Sequence, residues 1–224
     1  MLIETDALSS RVSWSVPTIA TTTTSFKSTF AELSRYDFPF ILVDDRLTLL
    51  RLQSITRRLG KDIKPLADRI MTLLLQLIQT AGKQSPILED AFLCVGALTA
   101  ALDQDFHPYL QAFLPFLINA LSSHEEYQLC SIAVGLIGDI CRALGEASLP
   151  YCQGFMEVLL ADLQSTVLHR SVKPPILSCF GDVALAVGAG FAPFLDTTMG
   201  VLQQAGAMRS DPVRRIVFPN RLPS

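Results

Sequence analysis

The chain has 224 residues, a formal net charge of −3 and 50% hydrophobic residues. This length fits one or two globular domains, or a repeat array that has no fixed domain count. The five cysteines are odd in number and form no CxxC pair, which argues against a disulfide framework and for a reducing compartment. No run of 18 uncharged apolar residues is present, so the composition predicts no transmembrane helix.

The two ends of the chain differ from its middle. Residues 1–40 contain a threonine run and no helical period, so we expect a disordered or weakly ordered lead-in. Residues 208–224 hold three prolines and no amphipathic pattern, so we expect an irregular tail. Since a natural repeat array ends in polar capping repeats, this pattern predicts a piece, or an atypical product, of a longer gene.

Four prolines recur at intervals of 43, 42 and 43 residues: Pro65, Pro108, Pro150 and Pro193. Each one opens an apolar pattern at i, i+3, i+7 and i+11, which predicts a helix that we name helix A. Proline suits the first turn of a helix, where its missing N–H leaves no hydrogen bond unmade. A two-helix period of about 40–47 residues is typical of HEAT and armadillo solenoids.

A second helix, helix B, follows each helix A and carries a recurring glycine at Gly96, Gly138 and Gly181. Glycine inside a helix costs about 0.5–1 kcal/mol relative to alanine, so its recurrence predicts a close helix–helix approach. We therefore predict an all-α solenoid, a right-handed superhelical stack of antiparallel helix pairs. The array would occupy residues 41–207, with one helix B, three A–B pairs and one unpaired helix A.

Charge is distributed unevenly along the chain. Residues 86–207 carry twelve acidic and three basic residues, a net charge of −9, whereas residues 1–85 and 208–224 each carry +3. Such an array would repel a nucleic acid backbone and attract basic peptides. The alternative is ordinary solubilising charge.

One narrow polar stripe runs along the helix B of residues 126–145, at Gln128, Ser131, Gly135, Asp139, Arg142 and Glu146. The rest of its circumference is apolar, which predicts cover on two or three sides. Asp139 shares its repeat position with Asp182, so we expect the two carboxylates about 8–10 Å apart on neighbouring helices. They could form a ladder for lysine and arginine side chains, or each could simply bond to a neighbouring helix or turn.

No known catalytic or cofactor motif is present. The three histidines lie far apart in predicted turns, and there is no HExxH, GxSxG, phosphate loop or dinucleotide fingerprint. The sequence therefore predicts a binding protein and no enzyme, with no metal or cofactor.

Three segments carry a family resemblance: EYQLCSIAVGLIGDICRALG (126–145), HRSVKPPILSCFGDVALAVG (169–188) and EDAFLCVGALTAAL (89–102). They resemble the central to C-terminal part of receptors in the importin beta (karyopherin beta) family of nuclear import. The resemblance covers residues 45–207. It implies a helical array whose B helices line the concave side and bind a basic segment of importin alpha or of other cargo. It also implies nucleoporin FG repeats and, in a full-length parent, Ran-GTP as partners, without nucleic acid or membrane, in the cytoplasm, the nucleus and the nuclear pore.

Face and charge, together with this resemblance, suggest a set of partner-binding residues: Glu89, Glu125, Glu126, Gln128, Asp139, Arg142, Ser178 and Asp182. Two alternatives stay open. The chain could be a HEAT scaffold of another class, such as a phosphatase adaptor, or a truncated product without transport activity of its own.

Overall fold

The computed structural model describes residues 46–82 and 85–210, with side chains as far as residue 204. Within these ranges the chain is helical throughout, apart from short turns, and contains no strand. The expectation for residues 1–40 lies outside the described residues. Of the irregular tail predicted over residues 208–224, residues 208–210 are helical, because they continue the last helix, and the rest lies outside the described residues.

Long helices alternate with short connections along the described chain. They are α1 (Arg46–Leu59), α2 (Ala67–Thr80), α3 (Pro86–Leu102), α4 (His107–Ser122), α5 (Tyr127–Leu144), α6 (Leu149–Gln164), α7 (Lys173–Val187) and α8 (Ala192–Ser210). The odd-numbered helices occupy the positions expected of helix B, and the even-numbered helices those expected of helix A. Three of the recurring prolines stand second in their helix, in α4, α6 and α8, while Pro65 lies in the 3-10 segment that precedes α2.

Each helix B ends in the same backbone conformation. One residue adopts a positive φ, and a short 3-10 segment then leads into the next helix A; these residues are Gly60 (52°), Asp103 (57°), Gly145 (56°) and Gly188 (52°). A positive φ favours glycine, and Asp103, with ψ at −130°, lies outside the αL region that aspartate tolerates, so its backbone is strained. Each 3-10 segment also buries one side chain at a shared repeat position: Ile63, Phe106, Ser148 and Phe191.

The helices pack in two rows. Helices α1, α3, α5 and α7 stack in chain order and make the most extensive contacts, while each of α2, α4 and α6 packs against the helix B that follows it. The core lies between the rows, where the rings of Phe92 in α3 and Phe113 in α4 are 5.2 Å apart between centroids. The prediction of an all-α solenoid of antiparallel helix pairs is confirmed.

The three recurring glycines do not all mark a close approach. A Cβ on Gly138 would lie 2.8 Å from Asp182 Oδ2 and 3.2 Å from Asp182 Cβ, so only glycine fits there without a shift. At Gly96 the nearest atom would be Leu136 Cδ1, at an ordinary 3.5 Å, and at Gly181 no atom lies within 4 Å. The close helix–helix approach that the recurring glycine predicts is therefore found at Gly138 and not at the other two positions.

Two stretches, Tyr127–Gln164 and Lys173–Gln204, are long and apolar enough to pass a length-and-composition test for membrane-spanning helices. The lack of any run of 18 uncharged apolar residues had predicted no transmembrane helix. A 3-10 segment interrupts each stretch, at Gly145–Ser148 and Gly188–Phe191. More than half of the apolar window in Tyr127–Gln164 is buried, as expected of a helix packed in the row of B helices, whereas only about a third of the window in Lys173–Gln204 is buried.

All five cysteines are free and buried: Cys94, Cys130, Cys141, Cys152 and Cys179. Burial raises the pKa of the thiols of Cys94, Cys130 and Cys179 to about 12, because the thiolate would lose its hydration. These three behave as small apolar core residues.

We expect three glycine-to-alanine variants to change the free energy of unfolding differently, according to the space around each glycine. Gly181→Ala should raise the free energy of unfolding by about 0.5–1 kcal/mol, because alanine is the better helix former and the space is open. Gly96→Ala should behave similarly. Gly138→Ala should lower the free energy of unfolding by about 1–3 kcal/mol, because Asp182 must move. Urea denaturation measures all three, and equal stabilisation by all three would contradict the packing of α5 against α7.

Native protein should resist thiol alkylation. With every cysteine buried, N-ethylmaleimide should add to none of them within minutes at neutral pH, and to all five after unfolding in guanidinium. Intact-mass spectrometry counts the adducts. Rapid labelling of the native chain would show that the helix rows open or that the cysteines lie elsewhere.

Candidate protein-binding surface

The B helices leave one polar face exposed. In α5 the side chains of Ala133, Ile137 and Ile140 are fully buried, while Gln128 and Arg142 are exposed. A helix covered on several sides keeps only such a stripe in contact with water. The stripe is therefore the part of α5 that a partner can reach.

An arginine joins the two aspartates that share a repeat position. Arg142 donates from Nη1 to Asp182 Oδ1 at 2.7 Å and from Nη2 to Asp139 Oδ1. Partial burial lowers the pKa of Arg142, but the hydrogen bonds and charges of the two carboxylates outweigh it, so the pKa is raised overall. The cluster Asp139–Arg142–Asp182, which we call the carboxylate cluster, thus carries two negative charges and one positive charge on adjacent helices.

Each aspartate of the cluster lies over a glycine one repeat earlier. Asp182 of α7 packs onto Gly138 of α5, and Oδ2 of Asp139 would lie 3.6 Å from a Cβ placed on Gly96 of α3. At Gly138 only glycine leaves room for the carboxylate between the two stacked helices, whereas the contact at Gly96 is ordinary. The packing of neighbouring B helices thus determines where the two aspartates lie. Arg142 then partly neutralises their charge.

The other predicted site residues lie apart from the carboxylate cluster. Ser178 is exposed one turn before Asp182 in α7, and Glu89 is half-buried in the first turn of α3. Gln128 lies eleven residues before Asp139, about 16 Å along α5 at 1.5 Å per residue. Glu125 is exposed and Glu126 half-buried in the turn before α5. The structure therefore brings three of the eight residues into direct contact and spreads the rest along the B helices and their turns.

Sequence reasoning missed a set of ion pairs between successive repeats. Bases of the first described repeat reach acids about one period later: Arg46 to Asp90 (2.6 Å), Lys61 to Asp103 (3.7 Å) and Lys64 to Asp105 (2.7 Å). The acidic middle of the chain is thus partly neutralised by its own basic beginning. The signal that could have found them is the period itself, since the paired residues are 41–44 positions apart.

A partly buried histidine–aspartate pair lies away from the polar face, where α4 turns into α5. His124 Nε2 is 2.8 Å from Asp162 Oδ1, and Asp162 Oδ2 is buried without a hydrogen-bond partner. Burial raises the pKa of Asp162, and His124 opposes the shift. Over the part of the chain that the structure describes, no group of three or more metal-ligating side chains comes together.

Comparison with known proteins identifies one family. The family model "Importin subunit beta-1-like, TPR repeats" matches residues 45–217. Importin subunit beta-1 of Schizosaccharomyces pombe is 54% identical over 161 residues, 72% of this chain and 19% of that protein. Importin subunit beta-1 of Arabidopsis thaliana is 43% identical over 162 residues, 70% of this chain and 18% of that protein. The chain thus spans about a fifth of the length of these relatives.

Solved structures agree with the sequence matches. A crystal structure of importin beta in an ammonium sulfate condition aligns with a TM-score of 0.69 and 47% identity, over 71% of this chain and 18% of that one. A Kap95:Nup1 complex aligns with a TM-score of 0.65 and 29% identity, over 80% and 21%. A structure of Kap95p bound to RanGDP aligns with a TM-score of 0.62 and 28% identity, over 80% and 21%. With its helix rows, its period and these matches, the chain belongs to the importin beta-1-like family.

Proposed function

We propose that this chain is a protein-binding solenoid of nuclear import, which binds a basic protein segment along the exposed face of its B helices. The observation that carries this proposal is the carboxylate cluster. Asp139 and Asp182 lie side by side on that face, and Arg142 uses one oxygen of each. The second oxygen of each accepts no hydrogen bond among the described residues, and that of Asp182 lies against Gly138 of α5. A carboxylate can accept several hydrogen bonds, so the pair retains capacity for a partner's lysine or arginine.

The remaining acidic residues extend this surface. Glu125 and Glu126 lie at one end of α5 and Glu89 at the start of α3, while Gln128 and Ser178 add neutral polar contacts. An exposed ion pair contributes only about 0–1 kcal/mol. Affinity must therefore come from many contacts, and binding to this chain alone should be weak and sensitive to salt.

The relatives suggest the class of partner. A basic segment of importin alpha, or of another cargo, matches the net negative charge of residues 86–207. Nup1 and RanGDP, the partners in the Kap95 structures, suggest nucleoporins and Ran as further partners of the longer receptor. The proposed location is the cytoplasm, the nucleus and the nuclear pore. Catalysis has no part in this proposal.

Arg142 occupies the same carboxylates that a partner's cation would use. We therefore expect Arg142→Met to raise the affinity for a lysine- and arginine-rich peptide by about two- to fivefold at low salt, as the loss of one surface ion pair allows. Replacing Asp139 and Asp182 together by asparagine should lower the affinity. Fluorescence anisotropy of a labelled peptide measures both, and binding of the wild-type chain should fall steeply as salt is added.

Arg170→Met is the matched control, because it removes the same charge from an exposed turn outside the B helices. It should change the affinity less than Arg142→Met does. Weaker binding by Arg142→Met would show that Arg142 contacts the partner directly, and binding that is equal at low and high salt would contradict a carboxylate-based surface.

A further inference from the structure

A depression of about 350 Å³ lies on the B helices beside the carboxylate cluster. Helices α3 and α5 form its sides and α1 closes one end; the residues that shape it are Arg57, Phe92, Ala97, Ala100, Gly135 and Asp139. Its volume is at the lower end of the roughly 300–1,000 Å³ of ligand pockets. It is large enough for one amino-acid side chain from a partner.

The depression exists because two side chains of α3 are small. Ala97 holds the repeat position of Asp139 and Asp182, and Ala100 holds that of Arg142. Between α5 and α7 the corresponding space is filled by the ion-paired carboxylate cluster. One repeat earlier, both alanines leave it open.

The two ends of the depression carry opposite charges. Arg57 of α1 holds the repeat position of Arg142, but it faces Ala97 instead of an aspartate, and no carboxylate pairs with it among the described residues. Asp139 lies on the α5 side. Between them the lining is apolar, with the buried ring of Phe92 among its residues. The site therefore suits an apolar group that has a cation on one side only.

We infer that this depression receives one apolar side chain, of leucine or isoleucine size, from the basic segment that binds the B helices. The inference rests on the proposed function and adds a specificity element to it. A lysine or arginine next to the anchor faces Asp139, while Arg57 repels a cation at the other end. The depression thus selects basic segments that carry an apolar residue and sets the direction in which they lie.

Two lysine-rich helical peptides that differ only in a central leucine or alanine test this assignment. The wild-type chain should bind the leucine peptide about five- to tenfold more tightly, because the extra methyl groups leave water. Ala100→Leu should remove this preference by filling the depression. Ala100 is exposed, and Leu185 holds the same repeat position in α7, so the helix tolerates leucine there.

Two further variants keep the result interpretable. Ala147→Leu adds the same side chain at an exposed position of the 3-10 segment after α5, and the preference should persist. Gly135→Ala should reduce the preference without unfolding the chain, because its Cβ meets no atom within 4 Å. Fluorescence anisotropy gives the affinities of both peptides for each variant.

Equal binding of the two peptides to the wild-type chain would overturn the inference and leave the proposed function standing. A preference that survives in Ala100→Leu would also overturn it, because the leucine would then be recognised elsewhere. Failure of both peptides to bind at low salt would overturn the inference together with the proposed function.

Discussion

The contact between each helix B and the next is the constraint on which the rest of the structure depends. Where α7 crosses α5, the carboxylate of Asp182 rests on Gly138, at a distance that leaves no room for a Cβ. This contact and the hydrogen bond from Arg142 to Asp182 fix the register of two helices whose remaining contacts are mainly apolar and non-directional. Because the B helices stack in chain order along the row, their polar positions come to one face.

The shared register of the B helices has several functional consequences. It aligns Asp139 with Asp182, so that a single arginine can join them. It also pairs bases of the first described helices with acids of the next repeat, as Lys64 does with Asp105. Where a repeat carries alanine instead of a charged residue, the same geometry leaves a depression. Charge and space along the face therefore follow from which residue each repeat places at two shared positions.

Much of the fold could be predicted from the sequence, because the same residue pattern recurs in each repeat. Four prolines in phase predicted the helix order, and the polar stripe of α5 predicted which side is exposed. Other features escaped prediction for physical reasons. Which carboxylates Arg142 contacts depends on its rotamer. The depression exists because Ala97 and Ala100 have small side chains at positions that carry charged residues in the next repeat. Glycine recurrence alone could not distinguish the filled position at Gly138 from the open one at Gly181.

A distance across the helix row tests the register most directly. Leu93, Gly135 and Ser178 share one repeat position in α3, α5 and α7, so spin labels attached at Leu93→Cys and Ser178→Cys span two steps of the row. The native cysteines are buried and should stay unlabelled. With helices about 8–10 Å apart, double electron–electron resonance should give one narrow distance of about 20 Å. A broad distribution, or a distance beyond about 30 Å, would contradict the stacked register and the surface built on it.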